Sequence, residues 1–271
     1  EAIDQTRGWF YTLMTIGTLV FDQSSYKTVL CLGHILDKDG RKMSKHLGNV
    51  LEPMALMDQH GADAVRWYML AAGSPWAARR VGHDSINEVV RKTLLTYWNT
   101  VSFHALYAKA SNFELSQTPV VADRPLMDRW IISELNLLVQ EVDAALEDFD
   151  SQIAGRALAR FIDDLSNWYV RRSRRRFWDG EAAALGTLHE CLVTLTKLLA
   201  PLVPFITEQV WQELVRPTDS TAPTSVHLAD WPVADQSAIN AELGAQVALT
   251  RRIVELGRAT RAESGIKIRQ P

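Results

Sequence analysis

The sequence predicts a mainly α-helical fold in which a short α/β segment precedes a helical bundle. Two changes of pattern support this prediction. A β-branched and apolar run of strand length lies at 28–36, whereas beyond residue 82 apolar residues recur with the period of amphipathic helices. A chain of 271 residues is long enough for about two domains. The pattern divides it at 1–82, 83–217 and 218–271.

The composition is that of a globular protein without an overall attraction for polyanions. Hydrophobic residues make up 47% of the chain, and the formal net charge is −3. Any contact with nucleic acid would have to come from local basic surfaces. Cys31 and Cys191 lie far apart and form no Cys-x-x-Cys motif, which favours a reducing cytoplasmic setting and argues against structural zinc. The apolar segment 8–21 is shorter than the roughly 20 residues of a membrane span, so no membrane association is expected.

A cationic loop follows the predicted strand. Arg41, Lys42 and Lys45 lie within five residues, and Gly40 and Gly48 flank them. Open α/β sheets bind ligands at the carboxyl ends of their strands, and lysine ammonium groups can follow a moving phosphate. The loop is therefore predicted to bind a polyphosphate. A solvated turn is the alternative interpretation, because charged loops with glycines are common.

The tetrapeptide Lys-Met-Ser-Lys at 42–45 resembles the second signature of class I aminoacyl-tRNA synthetases, which usually ends in Ser where this chain has His46. Two flanking motifs narrow the resemblance. Asp-Gln-Thr-Arg-Gly-Trp at 4–9 and Gly-Ala-Asp-Ala-Val-Arg at 61–66 are similar to those of isoleucyl-tRNA synthetases. The valyl and leucyl relatives, which do not normally carry the first of these motifs, remain the alternative. The resemblance covers the whole chain but only an internal piece of such a synthetase.

The resemblance implies that the α/β segment is the C-terminal remnant of a Rossmann-like catalytic domain and that the bundle binds the tRNA anticodon arm. The implied parent enzyme is an isoleucine-tRNA ligase. It would activate isoleucine with ATP, accompanied by Mg2+, and transfer it to an isoleucine-specific tRNA. The first signature of the class, His-x-Gly-His, does not occur in this sequence, so the chain alone is expected to be inactive. A non-catalytic tRNA-binding module is the alternative from another functional class.

The resemblance also implies roles for single residues. Lys45 would be the principal ATP contact and Lys42 its catalytic partner, with Ser44 as a donor to phosphate. Cations placed against the departing pyrophosphate would stabilise the transition state. A second set is implied at the adenylate: Glu1, Asp4, Gln5 and Gly33. Gly33 leaves room within the strand for another group to approach. No metal-ligating residues are predicted.

The remaining N-terminal segments are predicted to be helical. Apolar residues at three- and four-residue intervals predict a buried helix at 8–21. Short helices are expected at 53–60 and 62–72, as a brace between the catalytic part and the bundle. Asp63 and Arg66 are expected to pair along the second of these.

The bundle is predicted from long helical patterns at 86–110, from residue 125 onwards, at 151–178 and at 181–199. The second pattern contains an apolar stripe of Ile131, Leu135, Leu138, Val142, Leu146 and Phe149. A shorter helix at 206–215 follows two prolines, and a final helix at 238–263 precedes a strand-like segment at 265–269.

The most basic stretch, Asn-Trp-Tyr-Val-Arg-Arg-Ser-Arg-Arg-Arg-Phe-Trp, occupies 167–178. The resemblance implies that its arginines bind tRNA: Arg171, Arg172, Arg174, Arg175 and Arg176. Because five arginines cannot share one helical face, a solvated face paired with nearby acids is an equal interpretation. Trp168 and Trp178 are predicted to be core residues rather than stacking platforms.

Overall fold

The structure is a computed structural model that describes residues 1–265 and 267. Helices account for most of these residues. The helices are α1 (Trp9–Phe21), α2 (Pro53–His60), α3 (Ala62–Ala71), α4 (His83–Val89), α5 (Leu95–Ala110), α6 (Leu126–Glu147), α7 (Ser151–Asp163), α8 (Arg171–Trp178), α9 (Ala182–Leu199), α10 (Pro204–Val210) and α11 (Ala241–Glu263). Single 3-10 turns lie at Ile3–Arg7, Lys45–Leu47, Leu115–Gln117, Val121–Asp123, Val226–Leu228 and Gln236–Ala238. The predicted mainly α-helical fold is confirmed.

Several of the predicted long helices contain a π-helical segment. Val90–Leu94 joins α4 to α5, Asp164–Val170 joins α7 to α8, and Trp211–Val215 extends α10. The helical patterns at 86–110 and 151–178 are therefore confirmed as continuous helices. A π-helical turn takes up an extra residue, so later side chains point to a different face than a strict 3.6-residue period would give.

The sheet is smaller than predicted. β1 (Ile35–Leu36) pairs in parallel with β2 (Arg79–Arg80), and the segment before β1 makes one parallel bridge from Leu32 to Ala2. The expectation of a full strand at 28–36 is therefore wrong in extent. The β-branched composition predicted extended backbone, but a strand also needs partners, and the described residues supply them at only a few positions.

Helix α1 forms as predicted, but it is not buried. Gly17 is its single buried residue, and the side chains of Leu19 and Val20 are 80% and 66% exposed. The loop after the helix is tied to it by the hydroxyl of Tyr26, which donates to the carbonyl of Phe10 at 3.1 Å. An apolar period shows that a helix has a face to bury, but it does not show whether the same stretch of chain provides the cover.

Helix α3 packs directly against the bundle. A Cβ built on Gly155 of α7 would lie 2.2 Å from the Cβ of Ala71, so only glycine allows the two backbones to approach this closely. Ala64 and Trp67 are buried on the same helix. This packing agrees with the expected brace between the N-terminal part and the bundle.

Asp63 binds the first turn of α10, and Arg66 binds the residues before that helix, instead of pairing with each other. The carboxylate of Asp63 accepts hydrogen bonds from two backbone N–H groups in the first turn of α10, the shorter being 2.7 Å from Ile206. The guanidinium of Arg66 donates to the carbonyls of Pro201 and Leu202 at 2.8 and 3.2 Å. The acid thus caps the N-terminus of α10, and the arginine satisfies carbonyls that no helix pairs. The prediction of an ion pair along the helix is wrong.

Helices α6 and α9 form the centre of the bundle. Leu188, Leu192 and Leu195 of α9 are fully buried, and α6 buries the predicted apolar stripe as far as Val142. Phe149 does not belong to that stripe. It follows the end of α6 with a φ of 58° and is 52% exposed, because the chain reverses there to begin α7.

By length and composition alone, α9 could cross a membrane, since its mean hydropathy is 1.2. However, 72% of this helix is buried inside the bundle. Its apolar character is therefore explained by its place in the core.

The C-terminal segment returns across the bundle to α11. Asn240 caps α11 by accepting from the N–H of Leu243 at 2.9 Å, and its own N–H donates to the hydroxyl of Ser133 on α6 at 2.8 Å. The predicted final helix is confirmed. The strand-like segment expected at 265–269 lies largely outside the described residues.

We expect the substitution Asp63→Ala to lower the free energy of unfolding by about 1–3 kcal/mol, because it removes a charged cap that satisfies two backbone donors. Urea denaturation would measure the loss. Asp58→Ala, at an exposed position of α2, is the matched control and should change stability by less than about 0.5 kcal/mol. Equal effects of the two substitutions would contradict the capping role.

Candidate nucleotide loop and nucleic-acid groove

One carboxylate, that of Asp37, organises the loop after β1. Its side chain is 7% exposed and accepts hydrogen bonds from the backbone N–H groups of Arg41 and Asp39 at 2.7 and 3.0 Å. It also accepts from the side-chain amide of Asn49 at 2.8 Å. The bond from Asn49, followed by the bonds from Arg41, lowers the pKa of Asp37 to about 2. The group is therefore charged at neutral pH.

Asn49 closes the loop from its other end. Its Oδ1 accepts from the backbone N–H of Ser44 at 2.8 Å, and its Nδ2 donates to the carbonyl of Lys42 at 3.2 Å as well as to Asp37. Neither Asp37 nor Asn49 was predicted as a site residue. The available signal was the preference of Asp and Asn for bonding nearby backbone in turns.

The two lysines of the loop project into solvent. Lys42 and Lys45 are exposed, and neither ammonium group has an ion-pair partner among residues 1–265. Ser44 begins the 3-10 turn by accepting from the N–H of His46 at 3.3 Å. Gly40 and Gly48 have φ values of 82° and 62°, a region that favours glycine. The loop thus presents two unpaired cations on a hydrogen-bonded frame.

The residues implied at the adenylate lie beside the start of β1. Asp4 Oδ1 is 3.9 Å from Nδ1 of His34, and the side-chain amide of Gln5 donates to Asp4 at 3.2 Å. Gln5 also caps α1, because its Oε1 accepts from the N–H of Trp9 at 3.1 Å. Glu1 is exposed, and its carbonyl accepts from the N–H of the neighbouring extended segment. Asp4 and Gln5 are therefore brought together with His34, one strand away from the loop.

Gly33 has a structural explanation. A Cβ at this position would lie 2.2 Å from the carbonyl oxygen of Ala77, and the N–H of Gly33 donates to the carbonyl of Pro75 at 2.9 Å. The group that approaches Gly33 is thus the backbone beside β2. Gly33 also lines a cavity of about 740 Å3 together with Ala2 and His34, so the adenylate contact that the resemblance implied for Gly33 stays a prediction.

The corner at Asp4 and the lysine loop lie at the two ends of β1. His34 precedes the strand and Asp37 follows it, so the two are about 10 Å apart along extended chain. The arrangement therefore places polar acceptors at one end and cations at the other.

Helix α8 divides the five arginines between the interior and the surface. Arg176 points inward, where its guanidinium donates to both oxygens of Asp128 at 2.6 Å and to Glu181 at 2.7 and 2.9 Å. Asp128 is fully buried. Burial alone would lower the pKa of Arg176, but the hydrogen bonds to the two acids raise it. The assignment of Arg176 to tRNA is therefore corrected: this side chain neutralises a buried acid.

The other four arginines are exposed. The guanidinium of Arg172 lies 4.7 Å from the ring centroid of Trp168, and Arg175 lies 3.7 Å from the exposed Asp179, a pair worth little in water. Arg171 and Arg174 have no ion-pair partner in the part of the chain that the structure describes. These two keep their charge free for an external anion.

A groove runs between α5 and the helix from Asp164 to Trp178. We call it the arginine groove, and its first part is a cavity of about 400 Å3 lined by Asn99, Thr100, Phe103, Ser166, Asn167, Val170, Arg171 and Arg174. A second cavity of about 530 Å3 continues it towards Trp178. The groove therefore combines cations, side-chain amides and aromatic rings.

Trp178 closes this groove and is 78% exposed. The prediction that it is a core residue is wrong, because it lies one turn beyond Arg174 and Arg175 on the same solvent face. Trp168 is half-buried, with the guanidinium of Arg251 lying 5.2 Å from its ring centroid. Of the two tryptophans, Trp178 thus offers the open aromatic face.

Family comparisons agree with this geometry. A model described as tRNA synthetases class I (I, L, M and V) matches residues 1–80, and one described as anticodon-binding domain of tRNA ligase matches residues 128–271. The second match alone covers more than half of the chain. The chain belongs to the class I tRNA ligases. The predicted resemblance and the helical anticodon-binding domain are thereby confirmed.

Three relatives of this tRNA ligase chain are named isoleucine-tRNA ligase. The chain is 70% identical to that of Streptomyces avermitilis, 64% to that of Thermobifida fusca and 49% to that of Dehalococcoides mccartyi (strain CBDB1). Each comparison covers 100% of this chain but only 26%, 26% and 27% of the relative. The chain therefore spans about a quarter of the length of the relatives it matches.

Two solved structures share the fold of this tRNA ligase chain. One is a LeuRS of Agrobacterium radiobacter K84 in a ternary complex with tRNA and LeuAMS, with a TM-score of 0.66, 24% identity and coverage of 85% of this chain and 27% of that one. The other is a methionyl-tRNA synthetase of Mycobacterium tuberculosis with methionyl-adenylate, with a TM-score of 0.59, 19% identity and coverage of 73% and 43%. The α/β remnant followed by a helical bundle is thus the fold of class I synthetases.

We expect Arg176→Ala to lower the free energy of unfolding by about 3–5 kcal/mol, because it leaves the buried carboxylate of Asp128 without its cation. Arg175→Ala removes an equal charge from the preceding position, which is exposed, and should lower the free energy of unfolding by less than about 0.5 kcal/mol. Chemical denaturation followed by circular dichroism would compare the two. A small loss for both would show that Arg176 is dispensable for the fold.

Proposed function

We propose that this chain is part of an isoleucine-tRNA ligase, which activates isoleucine with ATP and transfers it to tRNA. The identity of 70% across the whole chain to a ligase of that name carries the proposal. The alternative of a valyl or leucyl enzyme is less well supported, because eight relatives that are 45–70% identical to this chain all carry the name isoleucine-tRNA ligase. The proposed division of labour is a catalytic remnant at 1–82, a bundle at 83–217 and a return segment at 218–271.

In this function, the lysine loop stabilises the departing pyrophosphate. Attack of the isoleucine carboxylate on the α-phosphate of ATP leaves negative charge on the two outer phosphates, and unpaired cations there are worth most in the transition state. Lys45 and Lys42 are exposed and free of acids among residues 1–265. Ser44 lies between them and can donate its hydroxyl proton to phosphate. These three residues are the proposed polyphosphate contacts.

Asp4, Gln5 and Glu1 are the proposed contacts to the adenylate. Their carboxylate and amide oxygens can accept from ribose hydroxyls or from the substrate ammonium group. ATP would bring Mg2+ with it. Among the described residues, no group of three or more His, Cys, Asp or Glu side chains could hold a metal ion, so no zinc site is proposed for this segment.

The arginine groove is the proposed contact surface for the anticodon arm of tRNA. Arg171 and Arg174 can meet phosphates, while Asn99 and Asn167 can read base edges within the same cavity. The exposed ring of Trp178 can stack on an unpaired base. Arg175, which lines the second cavity, and Arg172, which lies over the ring of Trp168, are weaker candidates. A ligase of translation working on tRNA is proposed to act in the cytoplasm.

We expect Arg171→Gln and Arg174→Gln each to weaken tRNA binding and to reduce the slope of log affinity against log salt by about 1, because each removes one phosphate contact. Arg156→Gln, an exposed arginine of α7 outside the groove, is the control and should leave the slope unchanged. Fluorescence anisotropy with labelled tRNA over a salt series would measure both. Identical slopes for all three variants would place the RNA elsewhere.

Isoleucine specificity is tested in the same assay. Cognate tRNA should bind this chain more tightly than a non-cognate tRNA at moderate salt, because bases read in the groove add to the phosphate contacts. Trp178→Ala should cost about tenfold in affinity for the cognate tRNA, the effect of losing one base stack. Equal binding of both tRNAs that vanishes with salt would mean that this chain contributes backbone contacts only.

The role of Lys45 is tested in the full-length ligase that contains this chain. We expect Lys45→Ala to lower isoleucine-dependent ATP/pyrophosphate exchange by at least about a hundredfold, by analogy with the loss of a transition-state donor. Lys38→Ala, another exposed lysine near the loop, should retain activity. A near-normal rate for Lys45→Ala would remove the role assigned to it. The 271-residue chain alone is expected to show no exchange.

A further inference from the structure

We propose that Asp37 and Asn49 form a latch that sets the position of the lysine loop, so that they act as positioning residues for Lys42 and Lys45. The inference rests on the proposed function of the loop, but the latch itself is a property of this chain. It assigns a task to two residues that lie outside the Lys-Met-Ser-Lys tetrapeptide and that do not face a ligand.

The first half of the loop is held without Asn49. Leu36 makes an antiparallel bridge with Lys42, and the N–H of Asp37 donates to the carbonyl of Arg41 at 2.9 Å. The N–H of Gly40 donates to the carbonyl of Asp37 at 3.0 Å. These bonds form a tight turn that fixes Lys42 at the end of β1.

The second half depends on the side chain of Asn49. The bonds described above connect its single amide group to Asp37, to the carbonyl of Lys42 and to the N–H of Ser44. Ser44 in turn begins the 3-10 turn that carries Lys45. Asn49 therefore links the backbone beneath one lysine to the backbone that leads to the other.

The chemistry of the three bonds requires an amide. Asn49 donates from Nδ2 to two acceptors and accepts at Oδ1 from one donor, which a carboxylate cannot do. A carboxylate at position 49 would also lie 2.8 Å from the charged Asp37. The latch is thus sensitive to a change of one atom in a side chain, without a change in its volume.

Burial separates this task from ligand binding. The side chain of Asp37 is 7% exposed and already accepts from the backbone of Asp39 and Arg41 and from the side chain of Asn49. It offers no free oxygen to a nucleotide. Its effect on catalysis must therefore pass through the loop, whose two ammonium groups are effective only when held near the phosphates.

The test exchanges the two residues. Asp37→Asn and Asn49→Asp each break the latch, through two facing amides in the first case and two facing carboxylates in the second. The double variant restores one donor–acceptor pair between positions 37 and 49, and the carboxylate introduced at 49 can still accept from Ser44. It leaves the carbonyl of Lys42 without its donor, so the recovery is expected to be partial. Asp39→Asn, at an exposed carboxylate of the same turn, is the matched control.

The first measurement uses the 271-residue chain and needs no catalysis. Trypsin cuts after Lys42 and Lys45, and we expect each single variant to be cut at least about tenfold faster there under native conditions, because the loop opens. Asp39→Asn should be cut within about threefold of the wild-type rate, and the double variant at a rate between those of the wild type and the single variants. Thermal unfolding distinguishes local opening from global instability. Cleavage of both single variants at the wild-type rate would overturn the latch. A fall in the midpoint of thermal unfolding large enough for global unfolding to explain the faster cleavage would overturn it as well.

The second measurement uses the full-length ligase. Each single variant should lower kcat for isoleucine-dependent ATP/pyrophosphate exchange about tenfold to a hundredfold with little change in KM for ATP, since misplacement costs most in the transition state. The double variant should recover part of kcat, which a merely structural role would not predict. Unchanged kcat in variants whose loop is open would overturn the positioning role. Lack of exchange in the wild-type ligase would instead overturn the proposed function, while the protease result on the latch would stand.

Discussion

The placement of the lysine loop relative to the helical bundle depends on one buried carboxylate. Asp63 lies on α3, and the backbone groups that it caps begin α10. Burial raises the pKa of Asp63, and the two N–H bonds oppose that rise by favouring the charged form. Beside this contact, Gly155 allows α3 to lie against α7 without an intervening side chain. This carboxylate and this missing Cβ, together with the bonds from Arg66 to the carbonyls before α10, thus hold the two halves together, although none is part of a candidate site.

The chain separates its charges by burial rather than by sequence position. Arg174, Arg175 and Arg176 are neighbours in sequence, yet their surroundings differ. Arg174 is exposed to solvent, Arg175 forms a weak surface ion pair, and Arg176 pairs with a buried acid. A net charge of −3 is therefore compatible with a local basic groove. Burial separates charges in the loop in the same way. The carboxylate of Asp37 is buried and accepts hydrogen bonds from within the loop, while the exposed lysines beside it have no ion-pair partner among the described residues.

Much of the candidate site could be predicted from short motifs. The tetrapeptide at 42–45 pointed to the loop, and the basic stretch at 167–178 pointed to the groove. Residues that act through backbone bonds could not be found in this way, because Asp37 and Asn49 are 12 positions apart and meet only when the loop closes. The packing at Gly33 could not be predicted for a related reason. A missing side chain shows that something comes close, but only the packing shows that it is the backbone of Ala77.

The sequence by itself determined the helices, the family and the residue types of the loop, since these depend on local periodicity and on residues close together in the chain. Only the tertiary structure decided which side of each helix is covered. The apolar period of α1 was interpreted as burial, whereas the described chain leaves Leu19 and Val20 open. Within α8, long-range pairing with Asp128 made Arg176 internal, and exposure made Trp178 a surface ring. The physical reason is that burial and charge compensation depend on partners distant in sequence, which a local pattern does not contain.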